Sequence, residues 1–225
     1  MTAKVQKLLN DSGVARWSAL VLIALMMFFA YMFVDVLSPL STLLETSKGW
    51  SAETYGTFCS SEYFLNVFAF FLIFAGIILD KMGIRFTGIL SAAVMVIGAS
   101  IKLYAISDLF TPENGLYRFL DSFWTSFPPT AKLASVGFMI FGCGVEMGGV
   151  TVSKAIAKWF KGKEMALAMG LEMAIARLGV FAVFRLSPAL STWANEAMPT
   201  VVTPVLFCTI LLIIGLLTYT TFTFM

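Results

Sequence analysis

Two opposite charges interrupt long apolar segments in the second half of the chain. Glu146 lies within Leu133–Ala157, and Arg177 lies within Met165–Pro188. Each segment is longer than the ~20 residues that cross a bilayer. Counted from the basic turn that joins the segments, both charges lie about 18–20 Å into a membrane at the rise of an α-helix. An isolated charge at that depth costs at least ~2.5 kcal/mol, so the pair indicates a polar site near the midplane.

The equal depth of the two charges allows two arrangements. Glu146 and Arg177 either form a direct ion pair, or they stand apart and bind the opposite ends of a zwitterion. We expect the second arrangement, because the planar fork of an arginine suits a carboxylate and the glutamate suits an ammonium group. In the first arrangement the charges have only a structural role.

Four other charges inside apolar segments have two interpretations each. Asp35, Glu62 and Arg185 fall in the outer third of their segments, where they either form an external gate or extend toward the interface. Glu172 is about 12 Å deep by residue count and lies off the Arg177 face. It either acts as a gate with a base, from the cytoplasmic side or from its own helix, or has a structural role, which we favour.

Most aromatic side chains are expected to face lipid or to pack between helices. Phe181 and Phe184 are exceptions, because they share a helical face with Arg177. Tyr31, in the outer half of the first apolar segment, is a third. We therefore predict that these three aromatic residues bind substrate together with Glu146 and Arg177.

The sequence contains no evident catalytic or metal-binding cluster. It has no histidine, and its three cysteines all lie within apolar runs, where they are expected to be buried. Gly142–Gly148 has glycine spacing similar to a dinucleotide loop but no preceding strand, so Gly144 and Gly148 predict a helix-packing seam instead. We expect no enzymatic activity, no cofactor, no metal and no nucleic-acid partner.

Composition places these segments in a membrane. Hydrophobic residues make up 59% of the 225 residues and charged residues only 12%, and the mean hydropathy is +0.89. These values exclude an ordinary soluble domain. We predict an all-α membrane protein with six transmembrane helices: Trp17–Leu37, Glu53–Leu79, Phe86–Ile106, Leu133–Ala157, Met165–Pro188 and Thr200–Phe222.

Two segments outside these helices complete the predicted organisation. Residues 1–16 form a cytoplasmic tail. Residues 107–130 form an external loop in which Thr111–Phe127 shows helical spacing of apolar side chains and is too short to span. We predict an amphipathic helix at the interface there, with an extended aromatic loop as the alternative.

The basic residues fall mainly on one side of this arrangement, and the positive-inside rule makes that side cytoplasmic. Both termini are therefore expected in the cytoplasm. The basic residues on this side are Lys4, Lys7, Arg16, Lys81, Arg85, Lys154, Lys158, Lys161 and Lys163.

The turn between the second and third predicted helices carries a motif. Gly76–Arg85 reads G-I-I-L-D-K-M-G-I-R, which matches G-x-x-x-D-[RK]-x-G-x-[RK] and closely resembles the loop signature of the major facilitator superfamily. A glycine allows close helix approach or a tight reversal, and the aspartate can pair with cations. A second base is usual at Ile84. We predict a conformational role for the motif residues Gly76, Asp80, Lys81, Gly83 and Arg85.

The resemblance implies the fold and a class of substrate. Superfamily members have about twelve helices in two bundles with the substrate between them, so this chain looks like the N-terminal six-helix half, with the C-terminal bundle absent. Lys158–Gly170 (K-W-F-K-G-K-E-M-A-L-A-M-G) resembles the subgroup of domain-containing protein 1, lysosomal dipeptide carriers, and its bacterial relatives. In that subgroup an acid and an arginine on the fourth and fifth helices hold the peptide ends, and Glu146 and Arg177 stand at the matching places.

The predicted function is secondary, alternating-access transport of small solutes, with dipeptides as the first candidate, as symporter or uniporter. One alternative is proton-coupled transport of another small organic solute, and another is a non-transporting membrane interaction or assembly protein. Expected partners are the substrate, protons, the lipid bilayer and the absent second bundle. A bacterial-type plasma (inner) membrane is preferred as the location, and a lysosomal membrane is the alternative.

Overall fold

The computed structural model describes residues 12–225, and this part of the chain contains helices and turns without strands. The predicted all-α membrane fold is confirmed. Residues 1–11 of the predicted tail lie outside the described residues. The first helix begins at Gly13, within the residues predicted as the tail, where Ser12 caps it by accepting from the Ala15 amide. The helices are α1 (Gly13–Val34), α2 (Ser41–Lys48), α3 (Ala52–Phe68), α4 (Phe71–Ile106), α5 (Gly115–Asp121), α6 (Pro129–Trp159), α7 (Met165–Thr192) and α8 (Val202–Thr223).

Five helical segments in the described range are long and apolar enough to cross a membrane. They are α1 with the short turn and α2 that follow it, α4, α6, α7 and α8. The protein is thus a multi-pass integral membrane protein. The second predicted helix, Glu53–Leu79, is divided between α3 and the start of α4, and the break falls at Phe70, which has φ 51°.

Helix α4 contains two segments that meet at Gly83. This residue has φ 78° and ψ 172°, a backbone conformation that favours glycine. The two segments run in opposite directions, since Lys102 near the end of the second lies 5.1 Å from the ring of Phe58 in α3. Phe58 and Lys102 are more than forty residues apart along the chain. The predicted reversal between the second and third membrane segments therefore takes place at Gly83.

Close contact between α4 and α6 holds the centre of the bundle together. A Cβ on Gly144 would lie 2.7 Å from Met95 and 2.9 Å from the Ser91 carbonyl, and one on Gly148 would lie 2.7 Å from the Ser91 hydroxyl. That hydroxyl donates to the Gly144 carbonyl over 2.8 Å. The predicted packing seam is confirmed, and it brings α6 close to its neighbours over several turns.

Helices α7 and α8 pack against α1 and close the other side of the bundle. Ser187 of α7 donates to the carbonyl of Val36 over 2.9 Å. Tyr219 of α8 donates to the carbonyl of Ile84 over 2.8 Å, next to the reversal in α4. Helix α7 continues through Pro188 to Thr192, four residues beyond its predicted end.

The segment between α4 and α6 contains a shorter helix than predicted. Thr111–Phe127 was expected to be helical, whereas α5 covers only Gly115–Asp121. Asn114 caps its start by accepting from the Leu116 amide. At its other end, Lys132 donates to the carbonyls of Leu120 and Phe123, which stops the helix by satisfying its last acceptors.

Candidate functional site

A cavity of about 290 Å³ lies between α1, α6 and α7. Its walls combine apolar side chains with two carboxylates, a guanidinium and a phenol. This mixture can orient a small polar molecule. The lining residues are Met27, Tyr31, Glu146, Gly149, Val150, Ser153, Glu172, Met173, Ala176 and Arg177.

Glu146 from α6 and Arg177 from α7 both line this cavity, as the counting of residues predicts. The ion pairs in the described part of the chain involve other residues. Glu146 and Arg177 therefore share the cavity without a direct salt bridge. This arrangement leaves room for a ligand that carries both charges.

Arg177 contacts an aromatic ring instead of an acid. Its guanidinium carbon lies 4.8 Å from the ring centroid of Tyr31 on α1, a cation–π contact of ~0.5–2 kcal/mol. This contact occupies none of the guanidinium N–H donors with an acid in the described residues, so they can bind a carboxylate. Tyr31 therefore holds Arg177 in position, as well as lining the cavity.

Glu172 also lines the cavity, although it lies off the Arg177 face of α7. Its residue is only 9% exposed. Two adjacent rows of α7 side chains form this wall of the cavity. Glu172 and Ala176 form one row, and Met173 and Arg177 form the other. The cavity thus carries two carboxylates and one guanidinium, and the sequence analysis identified only one of the acids with the substrate.

Phe181 and Phe184 do not line the cavity, and their contact with a substrate stays a prediction. They are 68% and 46% exposed. Both follow Arg177 on the same face of α7, but one and two turns further along, where the cavity has ended. They form an exposed aromatic strip on the bundle surface.

The three predicted outer-gate residues do not form one cluster. Glu62 is 6% exposed and packs against Gly142 of α6. Asp35 follows α1 and accepts from the Ser38 hydroxyl over 3.1 Å. Arg185 is exposed, and no hydrogen bond or ion pair links it to Asp35 or Glu62 in the described residues. No described hydrogen bond or ion pair joins Asp35 to Glu62 either.

The loop motif is held by a cation outside it. Lys154 of α6 donates to Asp80 over 2.5 Å, while Lys81 and Arg85 of the motif are exposed. Outside its own helix, no described atom lies within 4 Å of the position of a Cβ on Gly76, so no helix of this bundle approaches it closely.

The sequence analysis missed Lys102 as a candidate residue. This lysine is 0% exposed, in the middle of the bundle, and its ammonium lies against the rings of Phe33, Phe58 and Phe138. Its position near the end of a predicted helix made it look like an interfacial base. The signal that could have found it is a single charge four residues inside an apolar helix.

Comparison with known proteins agrees with this architecture. The sequence profile of the Major Facilitator Superfamily matches residues 23–224. Lysosomal dipeptide transporter MFSD1 of Bos taurus is 30% identical over 107 residues, which are 47% of this chain and 19% of that protein. The Mus musculus protein of the same name is 30% identical over 115 residues, and the Danio rerio one is 32% identical over 115, in each case 51% of this chain and 20% of the relative.

The matched segments thus span about a fifth of the length of these curated relatives. No solved structure matches the chain. The superfamily profile, in contrast, runs through almost all of the described helices, from α1 to the end of α8. On this evidence, together with the Gly76–Arg85 motif, the chain belongs to the Major Facilitator Superfamily.

Proposed function

We propose that this chain is the N-terminal half of a secondary transporter that moves dipeptides by alternating access. The observation that carries the proposal is the cavity that Glu146 and Arg177 line with opposite charges. The names of the MFSD1 relatives, lysosomal dipeptide transporters, support the choice of substrate. The process is transport without a covalent reaction, so no enzymatic role is proposed.

A dipeptide fits this charge arrangement. It presents an ammonium group at one end and a carboxylate at the other, several ångströms apart. Arg177, stacked on Tyr31, can bind the carboxylate with two parallel hydrogen bonds. Glu146 can then accept from the ammonium, and the apolar lining residues Met27 and Val150 can contact the peptide side chains.

A second six-helix bundle is the partner that this function requires. In alternating access, the substrate lies between two bundles and is exposed to each side in turn. The cavity described here has walls from α1, α6 and α7 only. We infer that a second bundle supplies the opposite wall, with the lipid bilayer around both.

We infer that both termini face the cytoplasm. The Asp80–Lys154 pair puts the motif loop and the end of α6 on the same side, and that side carries most of the basic residues, as expected for cytoplasmic loops. A bacterial-type plasma membrane remains our preferred location. The lysosomal membrane of the MFSD1 relatives is the alternative.

The test compares a dipeptide with its N-acetylated analogue, which lacks the ammonium group. It uses the complete carrier, with a second bundle from the same chain or from a partner. Glu146→Gln should weaken dialanine binding at least tenfold and leave N-acetyl-dialanine binding nearly unchanged. Arg177→Lys should weaken both ligands, because a point charge does not replace the bidentate grip.

The competing function is that of an assembly protein whose charges are structural. It predicts that either substitution lowers the amount of folded protein in the membrane and leaves ligand selectivity as it was. Variants of normal abundance are therefore compared by isothermal titration. Unchanged selectivity in Glu146→Gln would refute dipeptide binding at this cavity.

A further inference from the structure

Two adjacent glycines of α6 have different surroundings. A Cβ on Gly148 would lie 2.7 Å from the Ser91 hydroxyl, so the packing of α6 against α4 depends on the small size of Gly148. A Cβ on Gly149 would have no described atom within 4 Å outside its own stretch of helix, and Gly149 is one of the residues that line the cavity. The open space beside Gly149 therefore belongs to the cavity.

Helix packing gives no reason for a glycine at Gly149. In the interior of a helix, glycine is less stable than alanine by ~0.5–1 kcal/mol. The methyl group of an alanine at this position would meet no neighbouring side chain or backbone. What the glycine provides here is free volume in the wall of a cavity of about 290 Å³ that also contains Glu146 and Arg177.

The α6 wall of the cavity is one continuous helical face. Glu146 is followed one turn later by Gly149 and Val150, and two turns later by Ser153. This is the spacing of side chains that share a face of a helix. Side chains one turn apart have Cβ atoms ~5–6 Å from each other. A group bound at Glu146 therefore has the space beside Gly149 as its next surroundings on α6.

The α7 wall matches this face level by level. Helices α6 and α7 are joined by a short connection and run in opposite directions from it. Glu146 and Arg177 lie at nearly the same distance from that connection, and Gly149 and Met173 each lie one turn nearer to it. The two charges thus form one level of the cavity, and Gly149 and Met173 belong to the next.

We propose that Gly149 determines which first residue a bound dipeptide can have, by leaving room for a large side chain next to Glu146. The inference rests on the proposed function, in which Glu146 binds the ammonium group and Arg177 the carboxylate. In a dipeptide, the first side chain is attached to the carbon that bears the ammonium group, so it extends from Glu146 into the space at Gly149. The second side chain is attached to the carbon that bears the carboxylate, so it extends from Arg177 toward Met173.

A side chain added at Gly149 should therefore change ligand selection and leave the fold intact. Gly149→Ala places one methyl group in the cavity, and Gly149→Leu fills most of the space that the first side chain would occupy. Neither addition meets an atom of the bundle at its Cβ. The effect should grow with the size of the added side chain, because overfilling a limited space is unfavourable.

Two isomeric dipeptides test this assignment in the complete carrier. Phenylalanyl-alanine and alanyl-phenylalanine have the same atoms and the same charges, and they differ only in which residue carries the ring. Isothermal titration should show that the wild type binds both. Gly149→Leu should weaken phenylalanyl-alanine binding by about tenfold or more, whereas alanyl-phenylalanine and dialanine should lose less than about threefold. Gly149→Ala should fall between Gly149→Leu and the wild type.

Gly56→Leu is the matched control. Gly56 lies in α3, has no described atom within 4 Å of an added Cβ and is not among the residues that line the cavity. The same change of residue should leave the affinities for all three dipeptides as they are in the wild type. Thermal unfolding of both leucine variants should occur at or above the wild-type temperature, because each replaces a helical glycine with a better helix former.

Labelling of Gly149→Cys gives a second measurement, in a carrier whose native cysteines are replaced. A small water-soluble methanethiosulfonate should react with this cysteine, and phenylalanyl-alanine should slow the reaction more than dialanine does at equal occupancy. Equal labelling rates with and without phenylalanyl-alanine would contradict the placement of the first side chain at Gly149.

The titrations separate this inference from the proposed function. If the wild type binds the dipeptides and Gly149→Leu weakens both isomers equally, or weakens neither, the assignment of Gly149 is overturned while dipeptide binding stands. If the wild type binds none of the three dipeptides, the proposed function fails, and the assignment of Gly149 fails with it.

Discussion

Lys102 and Glu62 are buried side chains of opposite charge in this bundle. Lys102 has three ring faces around it, each of which contributes ~0.5–2 kcal/mol. Burying a single ion costs several kcal/mol, and removal of one partner from a buried pair typically costs ~3–5 kcal/mol. Glu62 interacts with Lys102 and is itself buried, so loss of either side chain leaves the other without compensation.

Lys102→Met should therefore lower the thermal stability of the purified chain, and Glu62→Gln in the same chain should restore much of the loss. The coupling in this double-mutant cycle should be about 1–3 kcal/mol. The exposed pair Lys48–Asp108 provides the control cycle, for which no measurable coupling is expected. A double variant no more stable than Lys102→Met would show that the two charges are independent.

At the level of residues, the sequence predicted only those cavity residues that can be located by their depth in the membrane. Counting from the turn placed Glu146 and Arg177 together, because both helices are regular over that distance. It did not find Glu172, which depends on the width of the cavity wall. Phe181 lies beyond the lining of this cavity, because a shared helical face does not show where along the helix a cavity ends. Lys102 depends on rings from three other helices, which no local pattern reveals.

Helix α6 packs closely on α4, and its glycines differ in what surrounds them. At Gly144 a Cβ would lie 2.7–2.9 Å from atoms of Met95 and Ser91, including backbone atoms. At Gly149, five residues along the same helix, no described atom lies within 4 Å of the added Cβ. The two positions separate the effect of packing from that of helix propensity.

Gly144→Ala should destabilise the chain by ~1–3 kcal/mol, because the backbone of α4 would have to move. Gly149→Ala should have no effect or stabilise by up to ~1 kcal/mol, since alanine is the better helix former. Thermal unfolding in detergent, followed by circular dichroism, measures both. Equal effects at the two positions would mean that the close approach of α4 and α6 does not constrain the fold.

At the level of elements, glycine and helix-capping residues indicated where helices begin or reverse, whereas apolar runs alone did not. Gly83 was predicted as a reversal and has the positive φ that a reversal needs. The break at Phe70 lies in a run of apolar residues without glycine or proline, so no sequence signal marked it, and we have no physical account of it. Helix α5 ends early because of Lys132, which lies eleven residues further along the chain.

For the whole molecule, the Asp80–Lys154 pair indicates that two distant parts of the chain lie on the same side of the membrane. It joins the reversal after the second membrane segment to the end of α6. The α6–α7 connection, with Lys161, must then lie on that side too. The loop that contains Ser122 precedes α6 and lies on the other side, because α6 is long enough to cross the bilayer.

Single cysteines should report this topology in a chain whose native cysteines are replaced. A membrane-impermeant maleimide added to intact cells should label Ser122→Cys and leave Lys161→Cys unlabelled until the cells are opened. Both positions are exposed, so accessibility within the protein does not decide the result. The reverse pattern would contradict cytoplasmic termini.

Transport by this chain alone is expected to fail, because one bundle provides only one wall of the site. The cavity is built from α1, α6 and α7, and the aromatic strip of Phe181 and Phe184 beside it is exposed. A substrate held there has no second wall that could close on one side while opening on the other.

Residues 1–225 in proteoliposomes should therefore give no dialanine uptake above empty vesicles. The same chain supplied with a second bundle should give uptake that Arg177→Lys abolishes. A homodimer is the arrangement that could restore two walls, so the oligomeric state is measured in the same vesicles by cross-linking. Steady uptake by the monomeric chain would refute the two-bundle mechanism proposed here.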